Sequence, residues 1–352
     1  MAYSTGAGDY IALMNGVLVH AIADGWTEVG GVGTGWPIAK GDVGGVDWSS
    51  YESNENDYTE NGDGVTKLQR YMRLGIGTTG AEATANAATT STICANFSFD
   101  FTEWHIFSDA SVNDHIHVVA RFTNASFNDV FIHFSFGEVD KNGLTYGSVT
   151  YATATNRRGY AAGTSGGSVA TNSGNDWNSI IYGNWPFAGN WGEVDGATAT
   201  TSFIIRATDA PTPDGIAGYP SWDTVYEGGT NLWAQNLRTG SYYHVYGSAS
   251  SQGMCLPAFA NDAQVHVGQV SFMPIMFVVL NGLSTSSRSR YLGTYPNIRA
   301  CRTAGIEPGE EFTMGADTWV VFPMTRSTIE TDLNVQYKVT SGRVGFAYKK
   351  VV

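Results

Sequence analysis

Three histidines, His115, His117 and His133, combine the residue type and spacing best suited to chemistry in this chain. A strand carrying His115 and His117 at alternate positions puts both on one face, and the run Val130 to Phe136 brings His133 to the neighbouring strand. Diagonal neighbours in a hairpin lie roughly 7 to 8 Å apart, within reach of a shared ion such as zinc. Their surroundings argue against it. His105, His115, His117 and His133 occur among Trp104, Phe107 and Phe131, where an imidazole satisfied by one hydrogen bond serves as an aromatic filler. Neither a metal nor another cofactor is expected.

Carboxylates beside aromatic rings offer a second chemistry. Asp100, Glu103 and Asp109, or Asp176 and Glu193 beside tryptophans, suit a glycosidase pair on a sugar-binding platform. The candidate binding residues for that reading are Trp177, Trp185, Trp191 and Trp222, set in a stretch rich in Gly, Asn, Pro and Asp. The same rings serve equally as the small core of a loop-rich segment or as a surface offered to a protein partner. The acidic stretch from Ser53 to Gly64 has enough oxygen ligands for a hard cation, but Leu68 stands where an EF-hand needs its closing glutamate, and a solvated turn is the simpler reading. No G-x-S-x-G, H-E-x-x-H, G-x-G-x-x-G or P-loop pattern occurs, so a non-enzyme is expected.

Composition narrows the partners. A formal net charge of -13 with 19 Lys and Arg in no basic run disfavours nucleic acid. The longest apolar run, Val270 to Leu280, contains Pro274 and is far short of the ~20 residues that span a bilayer, so no membrane segment is expected. No Lys or Arg precedes Lys40, which is unlike a secretory leader. Cys94, Cys255 and Cys301 are scattered, as buried small hydrophobes would be, and a reducing site of synthesis follows.

The elements that must position these groups are strands. Phe97, Phe99 and Phe101, then Ile116, Val118, Ala120 and Phe122, then Val130, Ile132, Phe134 and Phe136 alternate with polar residues, which predicts a three-stranded antiparallel meander. Asp140-Lys141-Asn142-Gly143 has turn chemistry that tolerates positive φ, and a further hairpin runs on to Thr155. Val65 to Ile76, Thr201 to Thr208, Ser241 to Gly247, Gln264 to Leu280, Glu311 to Met324 and Asn334 to Val352 read as strands, the last with a hairpin at Ser341-Gly342. One helix is predicted from Asp9 to Asp24, with Asp9 as its cap, Gly25 past its end, and an apolar stripe of Ile11, Met14, Leu18 and Ile22. Gly16 inside it makes the helix depend on docking. Seven glycines from Gly30 to Gly45 predict an irregular loop.

A chain of 352 residues exceeds the roughly 250 to 300 that one core usually serves. The reading is a mainly β fold: an antiparallel β-sandwich with a loop-rich insertion and one short N-terminal helix. Residues 1–158 supply the helix and the first part of the sandwich, 159–254 the Gly- and aromatic-rich insertion, and 255–352 the remaining strands.

Several textures carry a resemblance. Met1-Ala2-Tyr3-Ser4-Thr5-Gly6, the helix ending Ala23-Asp24-Gly25-Trp26-Thr27, His115-Ile116-His117-Val118-Val119, Phe131 to Glu138 with Tyr146-Gly147, and Gly342 to Tyr348 are together similar to the tail or neck-associated structural proteins of tailed bacteriophages. The similarity covers about the first 160 residues and the last few dozen. What it implies is a virion component built as a β-sandwich, a homo-oligomer in contact with adjacent virion proteins, assembled in the bacterial cytoplasm.

Overall fold

The computed structural model describes residues 3–29, 35–40, 44–59, 66–77, 93–96, 100–109, 111, 114–124, 127–143, 149–154, 203–207, 225–227, 233–235, 242–244, 252–255, 272–281, 288–303, 305–323 and 344–351. Among them the protein is mainly β, with antiparallel ladders throughout and a single short helix.

The largest sheet has seven strands in the order β1 (Tyr3–Gly8), β7 (Phe101–Ser108), β8 (His115–Asn124), β9 (Phe127–Glu138), β10 (Val149–Ala154), β11 (Phe203–Ala207) and β12 (Val225–Glu227). A five-stranded sheet joins β2 (Thr27–Glu28), β3 (Gly35–Lys40), β4 (Gly44–Thr59), β5 (Thr66–Gly77) and β6 (Ile93–Asn96). A six-stranded sheet runs β15 (Gln252–Cys255), β16 (Met273–Asn281), β17 (Arg288–Arg302), β20 (Val344–Lys350), β19 (Asp317–Pro323) and β18 (Glu310–Met314), while β13 (Trp233–Gln235) and β14 (Tyr242–His244) form a separate pair.

β8 and β9 form where alternation predicts them, whereas β7, the strand paired with β8, shares only Phe101 with the predicted run of Phe97, Phe99 and Phe101 and continues to Ser108, with Phe107 opposite His117 and His117 opposite Ser135. The turn after β9 uses Asn142 and Gly143 at positive φ, 49° and 81°, and the Asp140 carboxylate accepts from the Asn142 amide at 2.9 Å. The chain then returns to pair β10 with β9. The strand expected at Thr201 to Thr208 is β11, and it extends the same sheet through β10.

Other expectations need correction. The Gly30 to Gly45 stretch contains regular structure: β3 pairs with β4 from Gly35 to Lys40. Ser53 to Thr59, expected in an acidic loop, belongs to β4. Its pairing jumps from Ser53 with Gln69 to Tyr58 with Lys67, so a bulge absorbs the surplus polar residues. Residues 60–65 lie outside the described residues, as do Ser341-Gly342 and Phe97 to Phe99. Glu311 to Met324 is two strands, β18 and β19, folded about Gly315 at φ +64°.

The helix α1 (Tyr10–Ala23) is capped by Asp9, whose side chain accepts from the Ala12 amide at 2.8 Å, and Gly25 follows it at φ +90°. Its buried face is Tyr10, Leu13, Met14, Val17, His20 and Ala21, rotated from the expected stripe so that Ile22 points outward. The helix docks on the face of the seven-stranded sheet that carries Trp104, and Trp26 meets Phe136 edge-on at 5.7 Å. Trp104 is the floor of this layer. A Cβ on Gly16 would sit 3.5 Å from its indole, an ordinary contact, whereas one on Gly6 would come within 2.4 Å of the ring. Gly6→Ala is therefore expected to lower stability by about 1 to 3 kcal/mol in urea unfolding, and an unchanged midpoint would show that the ring moves aside freely.

The opposite face of that sheet carries the part-exposed His105 and the buried Phe107, His117, His133 and Tyr151. It meets the six-stranded sheet face to face. Tyr348 stacks on Phe107 at 5.1 Å and on His133 at 6.0 Å, and Phe322 contacts His105 at 4.7 Å. The two sheets are also stitched by backbone, since Asp140, just past β9, and Thr294 of β17 exchange hydrogen bonds of 2.9 and 2.8 Å.

Candidate functional site

The histidines converge, but on a sealed layer between the sheets. β8 and β9 place His117, His133 and Ser135 on one face by strand alternation, and β10 adds Tyr151. His117, His133, Ser135, Tyr151 and Tyr348 are all fully buried. His117 Nε2 lies 2.7 Å from the Pro296 carbonyl, and a carbonyl can only accept, so Nε2 carries the proton. Burial, with His115 close by, holds the His117 ring far below the usual histidine range, so it is neutral. Nδ1 then accepts from the Ser135 hydroxyl at 2.5 Å, and Ser135 Oγ accepts from the Tyr151 hydroxyl at 2.9 Å. Proton donation runs from Tyr151 through Ser135 and His117 to the main chain of the other sheet.

His133 repeats the connection one register step away. Its Nε2 donates to the Pro323 carbonyl at 3.0 Å and its Nδ1 meets the Tyr348 hydroxyl at 2.7 Å. Each imidazole thus satisfies a proline carbonyl of the facing sheet. Pro296 sits where β17 bows outward, because Met276 pairs with Thr294 and Pro274 with Arg299. Four residues of β17 there oppose the single Ile275, and Asn297 takes φ 52°. A carbonyl freed by such a bulge would be costly if left dry.

Both ring nitrogens of His117 and of His133 are engaged by protein groups, and no group of His, Cys, Asp and Glu that could hold a metal ion occurs among the described residues. The Ser135–His117 pair has the separation of a nucleophile and its base, but both partners are fully buried. Burial also raises the Tyr151 and Tyr348 phenols and the Cys301 thiol, which is free. All three stay protonated and inert.

Glu103 and Asp109 do not converge. Glu103 and Asp109 lie on and just beyond one strand, six residues apart, which is roughly 20 Å along an extended chain against the roughly 5 to 9.5 Å of a glycosidase pair. Glu103 is engaged by Arg121 at 3.0 Å. Burial acts to raise the Asp109 carboxyl, but hydrogen bonds from the Ser111 hydroxyl and amide, with Lys349 and His115 nearby, bring it below the usual range. Asn297 also donates to it at 3.1 Å. A depressed carboxyl suits an anchor between the sheets and not a general acid. Asp100 is exposed.

The chain matches no known family model and no curated protein. The tryptophans Trp177, Trp185, Trp191 and Trp222, with Asp176 and Glu193, lie outside the described residues.

Sequence reasoning located the histidine strands but not what lies over them. The signal that could have found the network is the placement of Ser135 and Tyr151 on the histidine face of strands already legible by alternation. A second feature emerged only from the packing. Val19 and Ile22 on the outer side of α1 are 64% and 47% exposed, on a helix with no Asp, Glu, Lys or Arg between Tyr10 and Ala23.

Proposed function

We propose that this chain is a non-catalytic structural component of a tailed bacteriophage virion, placed in the tail or neck, that works by associating with copies of itself and with neighbouring virion proteins. The observation that carries the reading is the uncharged, apolar outer side of α1. A helix this rich in apolar residues belongs in an interior, yet its outer side leaves Val19 and Ile22 bare beside the uncharged Asn15. On a chain of net charge -13, an uncharged patch is where like-charged copies can approach without mutual repulsion. The resemblance of the opening, the histidine strands and the closing strand to virion proteins supports the same reading. Ring closure would let several modest interfaces act together, since a closed assembly raises effective concentration. No helix among the described residues is long and apolar enough to cross a membrane.

Mass spectrometry and electron microscopy of purified particles test the proposal: the chain is expected in the particle at a fixed copy number. A chain found in infected-cell lysate but never in particles would overturn it and bring forward glycan binding or cleavage, read by glycan arrays and reducing-sugar release. At the surface itself, Val19→Asp combined with Ile22→Asp is expected to weaken self-association at least about tenfold, or roughly 1.4 kcal/mol, in sedimentation equilibrium. The fold should survive, because both side chains are already exposed.

A further inference from the structure

We propose that β1 is an acid-released strap, held on the body of the protein by one imidazole on each of its faces. Alternation turns Ser4 toward α1 and Tyr3 toward the six-stranded sheet. On the first side Ser4 Oγ meets His20 Nδ1 at 2.8 Å, and His20 Nε2 reaches Ser108 Oγ of β7 at 2.9 Å. On the second side the Tyr3 hydroxyl meets His105 Nδ1 at 2.9 Å. The backbone of β1 pairs with β7 and its register breaks between Gly6 and Gly8. Gly8 has φ +134°, a backbone setting at the join to α1 that suits a hinge.

Neither imidazole can be charged cheaply while the strap is closed. Burial lowers the His20 ring to about 4. The charged groups on that side are the α-amino group, which adds to the lowering, Asp24, at the end of α1 and hydrogen-bonded to Ser108, and Lys40 of β3. Burial also lowers His105, opposed by Glu103 of its own strand at 3.9 Å and reinforced by Lys350 of β20. Lys350 is itself paired with Glu311 of β18 at 2.7 Å and lies 4.6 Å from the Tyr3 ring. Phe322 of β19 covers the remaining side of His105.

A base depressed in the closed state binds fewer protons there than when released. The closure is therefore at full strength above the ordinary value of 6.5 and is lost as pH falls toward 4. From His20 alone, the open fraction of β1 rises about 70-fold between about pH 7.5 and about pH 4.5. Release would bare the β7 edge and the Trp104 ring beneath Gly6, giving an acceptor edge for an incoming strand.

Hydrogen exchange on the full chain, corrected for intrinsic rates, tests this at the two pH values. The amides of Tyr3 to Gly8 are expected to lose protection by about 70-fold or more at the lower pH while staying less protected than those of β8. In His20→Asn with His105→Asn that loss is expected to shrink below about threefold. An equal loss in the double variant, or β1 opening only together with β8, would overturn the proposal. Should the double variant not fold, histidine ring shifts of the wild-type chain decide: titration of His20 together with loss of β1 protection supports the strap. A His20 that stays neutral until β8 itself melts refutes it.

Discussion

Gly345→Ala is expected to leave the chain unable to hold its native fold at ordinary temperature, with a loss of about 3 to 5 kcal/mol, close to the whole margin of a marginal domain. Gly345 lies in β20 between two neighbours, opposite Cys301 on β17 and Pro323 on β19. A Cβ there would stand 2.1 Å from the Phe322 carbonyl oxygen and 2.4 Å from Thr303 Cγ2. The nearer obstacle is backbone, so no rotamer change relieves it. β20 would have to move by about 1 Å against two ladders whose hydrogen bonds fix it, and Phe346 and Tyr348 would lose their seats on His133 and Phe107. Gly143→Ala is the control. Gly143 has φ +81° with nothing within 4 Å of its absent Cβ, so its cost is local strain alone, about 1 kcal/mol. Thermal and urea unfolding of the two variants, side by side, separates close approach from conformational strain. Equal effects would refute the reading of Gly345 as a contact glycine.

That contrast shows where the sequence is legible. Local rules recover the Asp9 cap, the Gly25 stop, the Asn142-Gly143 turn and the alternation of β8 and β9, because each is decided by neighbours along the chain. β17 is different. Gly293, Pro296 and Asn297 interrupt its period and Arg288, Arg290, Arg299 and Arg302 break its apolar pattern, so it does not read as a strand. It forms because β16 and β20 pair along it and the bowed residues are received by the facing sheet. The polar side of the meander misleads for a similar reason. Alternation marks His117 and His133 as the less apolar face, and only the second sheet, contributed by residues far along the chain, makes that face an interior. The exposed side of α1 has the opposite origin, since Ile22 fits a helical stripe that tertiary packing turns away from the core.

His117→Ala is expected to cost about 3 to 5 kcal/mol, more than its lost contact area alone, because it strands two partners at once. The Pro296 carbonyl loses its donor in a bowed segment without a ladder partner opposite it, and Ser135 loses the acceptor that orients its hydroxyl. His117→Phe restores much of the volume and leaves the orphaned carbonyl, so it should cost less, about 1 to 3 kcal/mol. Tyr151→Phe removes the first donor of the chain and should cost about 1 to 2 kcal/mol. If the three side chains act as one polarised relay, the double variant His117→Phe with Tyr151→Phe falls short of the sum by about 0.5 kcal/mol or more. Additivity within the error of urea unfolding would instead mean that Ser135 isolates its two neighbours. The three hydrogen bonds would then act independently, and this network's own link to the facing sheet would be the bond from His117 to Pro296, beside the separate links made by His133 and Asp140.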